Sequence, residues 1–338
     1  MFPTAITARF GLSTPILNAG MAMIAGPELA AAVSNAGGLG MLGGAMVPPD
    51  GLRAMIAATR EMTPRAFGID LIGDFITPEH VDVLIAERVA LTVFFWTIPP
   101  TAVIGRLTGA GLEAWAQVGS VAEARDAVAK GVTGLVVQGS EAGGHTRAEA
   151  TTMALFPRVR ALFPELPLAC AGGIADGATM AAALTLGADA VWCGSRFLAS
   201  AEANAHAAYQ RKVTGACVGD TEVTSLYGPE WPDQPMRVIR TPVYDRARGH
   251  EAAVTRVVAE QGFIAGSVTL GGERVTMPRY SAILPMRDFE GDIDQCCLTA
   301  GQGAGNITAV LPAARIVQEM TEGAAAALAR FAPTGRAA

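Results

Sequence analysis

The sequence predicts an α/β protein: a closed (β/α)8 TIM barrel with a smaller inserted lid subdomain near the C-terminus. Three observations carry that expectation. Eight short apolar runs alternate with helical segments between Pro15 and Ser195. Glycine-rich loops follow runs one, two, six, seven and eight, at the strand ends where such a barrel keeps its functional groups. Of the 338 residues, 51% are hydrophobic and 17% charged, which suits a large core and argues against disorder. An open, doubly wound sheet is the alternative.

Residues 15–18 read as the first strand, and Ala19-Gly20-Met21 as the loop at its end. Residues 28–35 form an Ala-rich helix closed by Gly37-Gly38, and 39–42 the second strand. Asp50 is the expected N-cap of a helix to Glu61. Strands are expected at 67–72, 90–95 and 112–118, with helices at 78–87 and 100–108 between them. Ser120-Val121-Ala122-Glu123 has the capping-box pattern and opens a helix to Lys130. The sixth strand is 135–138, followed by a helix to Leu162 with Pro157 in its first turn. Strand 166–171, a helix from Asp176 and strand 188–193 complete the set.

The pattern breaks from Gly219 to Asp294, where prolines punctuate a locally basic stretch containing Arg237 and Arg240. The expected division is a barrel over 1–218, an inserted substrate or lid subdomain over 219–294, and a C-terminal segment over 295–338. That segment ends in a helix over 312–329 that packs back on the barrel. Residues 333–338 are expected to be disordered.

Composition excludes several functions. The formal net charge of −6 and the lack of a long basic run give no support to nucleic-acid or anionic-membrane binding. No apolar run reaches membrane-span length, and the opening residues lack a secretory pattern, so a cytoplasmic protein is expected. The five cysteines form no C-x-x-C pair, which disfavours zinc and thioredoxin-like chemistry. Cys170 and Cys193 are expected in the core, and the adjacent Cys296 and Cys297 as reduced thiols.

Three loops carry candidate chemistry. Gln138-Gly139-Ser140-Glu141-Ala142-Gly143-Gly144-His145 places a carboxylate and a histidine in a glycine loop after a buried strand. Glu141 and His145 have a spacing that could hold a metal on a helix, but Gly143-Gly144 argues against one; a tight turn with an incidental histidine is the alternative. Gly172-Gly173, and Gly194-Ser195 one strand later, place glycine between a strand and a helix start. Free amides and the helix dipole favour an anion there, so a phosphate-bearing ligand is expected: a flavin mononucleotide, a nucleotide or a sugar phosphate.

Asn18-Ala19-Gly20-Met21, Gly37 to Gly40, Gln138 to His145, Ala171 to Gly177 and Gly194 to Leu198 occur in an order and spacing that resemble the nitronate monooxygenase family. The flavin-dependent enoyl-acyl-carrier-protein reductases share nearly all of these motifs. The resemblance implies a TIM barrel that binds FMN. It implies His145 as the base toward neutral nitroalkanes, or as the partner of a nitronate anion. Gly172, Gly173, Gly194 and Ser195 would hold the FMN phosphate. Ala19, Gly20 and Met21 would border the isoalloxazine ring, Gln117 and Gln138 would face the ribityl chain or ring, and Gly144 would approach the flavin through its backbone.

Asp70 stands where many relatives have Asn, and Gln117 where many have a basic residue; both are counted with the cofactor site. The implied activity is oxidation of alkyl nitronates with O2 to a carbonyl compound and nitrite. The alternative is NAD(P)H-dependent reduction of an enoyl thioester or quinone, and a phosphate-binding barrel without redox chemistry is a third reading. The implied partners are a small-molecule substrate and O2, with no metal, and a homodimer is left open.

Other residues read as structural. His206 is expected as a surface or capping histidine, and His80 and His250 as solvated. Trp96, Trp115 and Trp192 are expected in the core, while Trp231 and Tyr227 would roof the site.

Overall fold

The structure, a computed structural model, describes residues 2–229, 231 and 234–331. The tail 333–338, expected to be disordered, lies outside the described residues. The strands of the barrel region are β1 (Ile16–Asn18), β2 (Gly40–Gly43), β3 (Phe67–Ile72), β4 (Leu91–Phe95), β5 (Glu113–Val118), β6 (Gly134–Gln138), a two-residue β7 (Gly144–His145), β8 (Leu168–Ala171) and β9 (Ala190–Cys193). All but β7 form one parallel sheet in the order β1-β9-β8-β6-β5-β4-β3-β2. A parallel bridge between Leu17 and Leu39 joins its two ends and closes the barrel, so the open-sheet alternative falls away.

Closure depends on Asn18. With only three residues, β1 is too short for a full ladder on β2. The Asn18 side chain supplies the missing bonds: its Nδ2 donates to the Met41 carbonyl at 2.8 Å, and its Oδ1 accepts from the Met41 amide at 2.9 Å. A carboxamide carries the same donor–acceptor pair as a peptide group, so it can stand in for one.

The helices are α1 (Ala5–Phe10), α2 (Pro27–Asn35), α3 (Pro49–Met62), α4 (Pro78–Ala86), α5 (Thr101–Gly109), α6 (Val121–Ala129), α7 (Thr152–Leu162), α8 (Gly177–Thr185), a one-turn α9 (Ser195–Leu198) and α10 (Ala207–Thr214). Alternation along each strand splits the core in two. Leu17, Met41, Val93, Trp115, Val136, Ala169 and Trp192 fill the barrel interior, and Ile6 of α1 packs with them. Their neighbours, such as Ala114, Leu135, Val137 and Val191, pack outward against the helices.

Beyond the barrel, β10 (Thr221–Thr224) and β11 (Met236–Ile239) pair antiparallel, and β7 joins β11 as a third strand. Then come α11 (Pro242–Ala247), α12 (Glu251–Gln261), and a sheet of β12 (Ile264–Leu270), β13 (Glu273–Pro278) and β14 (Glu290–Gly291). Leu226, Tyr227, Val238, Tyr244 and Tyr280 make a small separate core, whereas Val268, Met277 and Phe289 belong to the main one. The final helix, α13 (Ala313–Ala329), lies against α8 and α2. A Cβ on Gly177 of α8 would come within 2.5 Å of the Gly323 Cα, so bare backbone is what lets the two helices touch.

Several local expectations change. Helix α3 begins at Pro49 with Pro48 as its N-cap, so Asp50 sits in the first turn, where its charge still suits the dipole. Pro157 lies inside α7, not in its first turn, because the helix starts at Thr152, gripped by Glu141 from the preceding loop. Ser120 accepts from the Glu123 amide at 3.1 Å, but Glu123 turns to the Gly119 amide at 2.7 Å, so only half of the capping box forms. His80 is buried, its Nε2 bonded to the Val47 carbonyl at 2.9 Å and its Nδ1 to Thr77, so it is not solvated. Tyr227 is buried in the small core beside Tyr280 and roofs nothing. His206 caps α10, accepting from the Ala208 amide, and the five cysteines form no disulfide, with Cys217 exposed.

Candidate active site

The site is assembled at the C-terminal ends of the barrel strands. The loop after β1 holds Met21 and Ala22 at φ 50° and 51°, a left-handed conformation that side-chain-bearing residues seldom adopt. This bend presses Gly20 against the end of β3. A Cβ on Gly20 would lie 2.4 Å from the Asp70 Cβ. Asp70 is only part-accessible, and its Oδ1 is buried with no hydrogen-bond partner among the described residues. Burial raises its pKa from the ordinary 3.8 to about 7, although the Gly20 amide partly offsets this.

The other side of the same loop faces the last strand. A Cβ on Gly194 would meet the Ala19 Cβ at 3.7 Å and Met21 at 3.9 Å, ordinary contacts that leave room. Gly172 and Gly173 have φ 112° and 73°, a backbone conformation that side-chain-bearing residues seldom adopt. Among the described residues, none accepts a hydrogen bond from the amides of Gly173, Gly194 or Ser195. Ser195 Oγ accepts from the Gly301 amide at 2.9 Å, which leaves its own hydrogen available.

Glu141 is structural. Its carboxylate accepts from the Thr152 amide at 2.9 Å and the Thr152 hydroxyl at 3.0 Å, at the start of α7. The Thr152 hydroxyl also lies within bonding distance of the Ala171 and Gly172 carbonyls, so the loops after β6 and β8 are tied together. The Glu141 carbonyl accepts from the Gln302 amide at 2.9 Å, which seats the C-terminal segment on the same loops. Among the described residues no His, Cys, Asp and Glu cluster could hold a metal.

His145 is held by the 219–294 region. As part of β7 it pairs with Met236 of β11. Arg237 reaches back with Nε and Nη2 to the Ser140 carbonyl at 3.1 and 2.9 Å. Burial draws the guanidinium below its ordinary pKa, while Glu141 and Glu222 counter the shift. The Gln138 Nε2 donates to the His145 carbonyl at 3.4 Å.

Aromatic rings surround the imidazole: Trp231 at 4.9 Å, Trp96 at 5.3 Å and Phe95 at 6.3 Å between centroids. Phe75 continues this wall beside Trp231. Trp96, expected in the core, is buried but belongs to the site. It follows β4 directly at φ 70°, and Arg147 stacks over it at 4.1 Å. Its place just past a barrel strand was the signal that could have found it. Trp115 and Trp192 are core residues as expected.

These loops make up a rim at the C-terminal ends of the barrel strands: Gly20 lies against Asp70, Ala19 and Met21 lie beside Gly194, Gly173 and Ser195 follow β8 and β9, and Gln138, Gly144 and His145 belong to β6 and β7. Gln117, on β5, stands beside Val136 of β6, part-accessible, with no hydrogen bond to the others among the described residues. Unpartnered amides at one end and an unpartnered Asp70 oxygen at the other fit a ligand with an anionic tail and a polar ring. A Cβ on Gly144 would point into open space, which leaves that side of the rim free.

Comparison with known proteins identifies relatives of the chain. The family described as nitronate monooxygenase matches residues 4–75 and 73–323. The chain is 34% identical over 259 residues, 74% of its length and 72% of the relative's, to a (3aS,4S,5R,7aS)-5-hydroxy-7a-methyl-1-oxo-octahydro-1H-indene-4-carboxyl-CoA dehydrogenase of Mycobacterium tuberculosis. A nitronate monooxygenase of Paraburkholderia phytofirmans is 33% identical over 65% of this chain and 73% of the relative. Among solved structures, FabK from Thermotoga maritima superimposes with a TM-score of 0.81 at 32% identity, covering 98% of this chain and 99% of that one. Nitroalkane oxidase from Streptomyces ansochromogenes gives 0.78 at 26% identity, covering 97% and 100%. Because the match runs from the first helix into the last and takes in both the barrel loops and the segment that seats His145, the chain is an oxidoreductase and belongs to the nitronate monooxygenase family.

Proposed function

We propose that the protein binds FMN and oxidises alkyl nitronates with O2 to a carbonyl compound and nitrite. The observation that carries this reading is the placement of His145. It is seated on β11 and ringed by Trp96 and Trp231, and the amides of Gly173, Gly194 and Ser195 at the ends of β8 and β9 have no acceptor among the described residues. Gly172, Gly173, Gly194 and Ser195 would hold the phosphate, and Ala19, Gly20, Met21, Asp70 and Gly144 would border the ring. Gln138, and Gln117 from β5, would face the ribityl chain. The chemistry supplied by a bound FMN is electron acceptance from the nitronate.

The chain's own residues do the rest. A neutral His145 takes the α-proton of a nitroalkane; a protonated one pairs with a nitronate already formed. Pairing of β7 with β11 fixes its backbone, so the imidazole is positioned before substrate arrives. The 219–294 region, which supplies Trp231 and β11, would act as the substrate-facing subdomain.

The test is an absorbance spectrum of the purified protein, followed by anaerobic addition of propyl nitronate to one sample and NADH to another. Flavin bands bleached by nitronate alone, with nitrite released in air, are expected. A colourless protein that takes up no FMN would sink the proposal. Rapid bleaching by NADH would favour reduction of an enoyl thioester or quinone instead. The CoA-thioester dehydrogenase relative motivates a third sample with an acyl-CoA; bleaching by that sample alone would assign thioester oxidation.

A further inference from the structure

One buried polar atom has no role in the mechanism above. The Asp70 Oδ1 is enclosed and lacks a partner among the described residues. A carboxyl group so placed has two outcomes: it stays charged at a large desolvation penalty, or it keeps its proton and offers it as a donor. Its surroundings decide between them. The loop after β1 brings Gly20, β2 brings Gly43 and the residue after it, Gly44, and β4 brings Val93. None of these elements, residues 19–26, β2 or β4, carries a charged or titratable side chain, nor does any other residue of β3. Asp74, the nearest acid in sequence, lies in the turn beyond the strand. Among the described residues no cation is at hand to hold the carboxylate in its charged form.

The position matters as much as the charge. Gly20 is clamped against Asp70, and the adjoining Ala19 and Met21 line the space in front of Gly194. A ligand whose anionic tail rests on the Gly173, Gly194 and Ser195 amides would pass along this loop and bring its ring to Asp70. We propose that Asp70, in its neutral acid form, donates a hydrogen bond to the ring of bound FMN, and that its ionisation loosens the enzyme's hold on the reduced, anionic ring. This inference rests on the FMN reading of the site. An asparagine would donate at every pH; the aspartate makes the contact depend on pH. Two-electron reduction with uptake of one proton leaves the ring negative, so a carboxylate beside it adds repulsion where the acid gave a bond.

The experiment compares wild type with Asp70→Asn, loaded with FMN and reduced anaerobically with dithionite across the neutral pH range. It reads the affinities for oxidised and reduced FMN. Above the titration near pH 7, the wild-type preference for reduced over oxidised FMN should fall by up to about tenfold per pH unit. D70N should lack that fall; comparison with it subtracts any ionisation belonging to the flavin. Identical profiles in the two proteins would overturn the inference while leaving the flavin reading intact. Failure of the wild type to take up FMN would overturn both. Infrared difference spectra of wild-type reduction supply a second readout independent of the variant. A carboxylic-acid carbonyl band present below the titration and lost above it is expected, and its absence throughout would overturn the inference.

Discussion

At the residue scale, His145 separates two kinds of substrate. If it removes the α-proton, His145→Gln should lower kcat/KM for a neutral nitroalkane by about 10²–10⁴-fold, while the value for the preformed nitronate falls much less. Equal losses on both substrates would show that it orients rather than deprotonates. Gly194 tests the cradle. Its Cβ would meet nothing closer than 3.7 Å, so Gly194→Ala should keep the apoprotein's urea midpoint and weaken FMN binding; unchanged affinity would remove Gly194 from the site. Asp70 also affects stability. Its folded pKa of about 7 lies above the ordinary 3.8, so between those values the folded state binds the extra proton and stability falls as pH rises. The loss is complete above about pH 7 and amounts to at most about 4 kcal/mol. Apo Asp70→Asn should therefore be the more stable protein above neutrality and lose that advantage toward pH 4, as followed by urea denaturation.

At the element scale, the strand that carries His145 belongs to two structures at once. It leaves the barrel from β6 and is completed by β11, about ninety residues later in the chain. Arg237 holds the two together. Removing its buried fork, as in Arg237→Leu, should cost about 2–3 kcal/mol and lower kcat at temperatures where the variant is still folded. A variant with normal kcat would mean the pairing alone positions His145. Asn18 plays the corresponding part at barrel closure, and its bonds to Met41 were not legible in the sequence. The alternating strands and helices of the barrel were legible, because alternation and glycine punctuation are local signals. Helix α1 and the strands and helices of the 219–294 region were not read from the sequence, and within the barrel some features changed because a distant group overrides the local signal. Glu141 starts α7 at Thr152 and leaves Pro157 inside the helix, and the Val47 carbonyl draws His80 into the interior.

At the scale of the whole molecule, FMN binding should join the barrel loops and the C-terminal segment into one unit. Gly301 meets Ser195, and Gln302 meets Glu141, beside the amides assigned to the phosphate. FMN at a hundredfold excess over Kd should then stabilise the protein by about 2.7 kcal/mol, seen as a rise in Tm, and riboflavin, lacking the phosphate, should stabilise it less. An equal rise with riboflavin would place the ligand elsewhere. The sequence by itself determined the eight-stranded α/β alternation, the side of the barrel that carries the glycine loops, and the loop that holds His145, whose reading as a candidate base came from the family resemblance. Each of these is written in residues adjacent along the chain. Only the tertiary structure decided that Trp96 and Trp231 wall in that histidine, that Arg237 fixes its strand, and that Asp70 keeps an oxygen buried with no partner among the described residues. Burial, ring contacts and charge balance depend on groups that folding brings together from distant parts of the chain, and no local pattern records them.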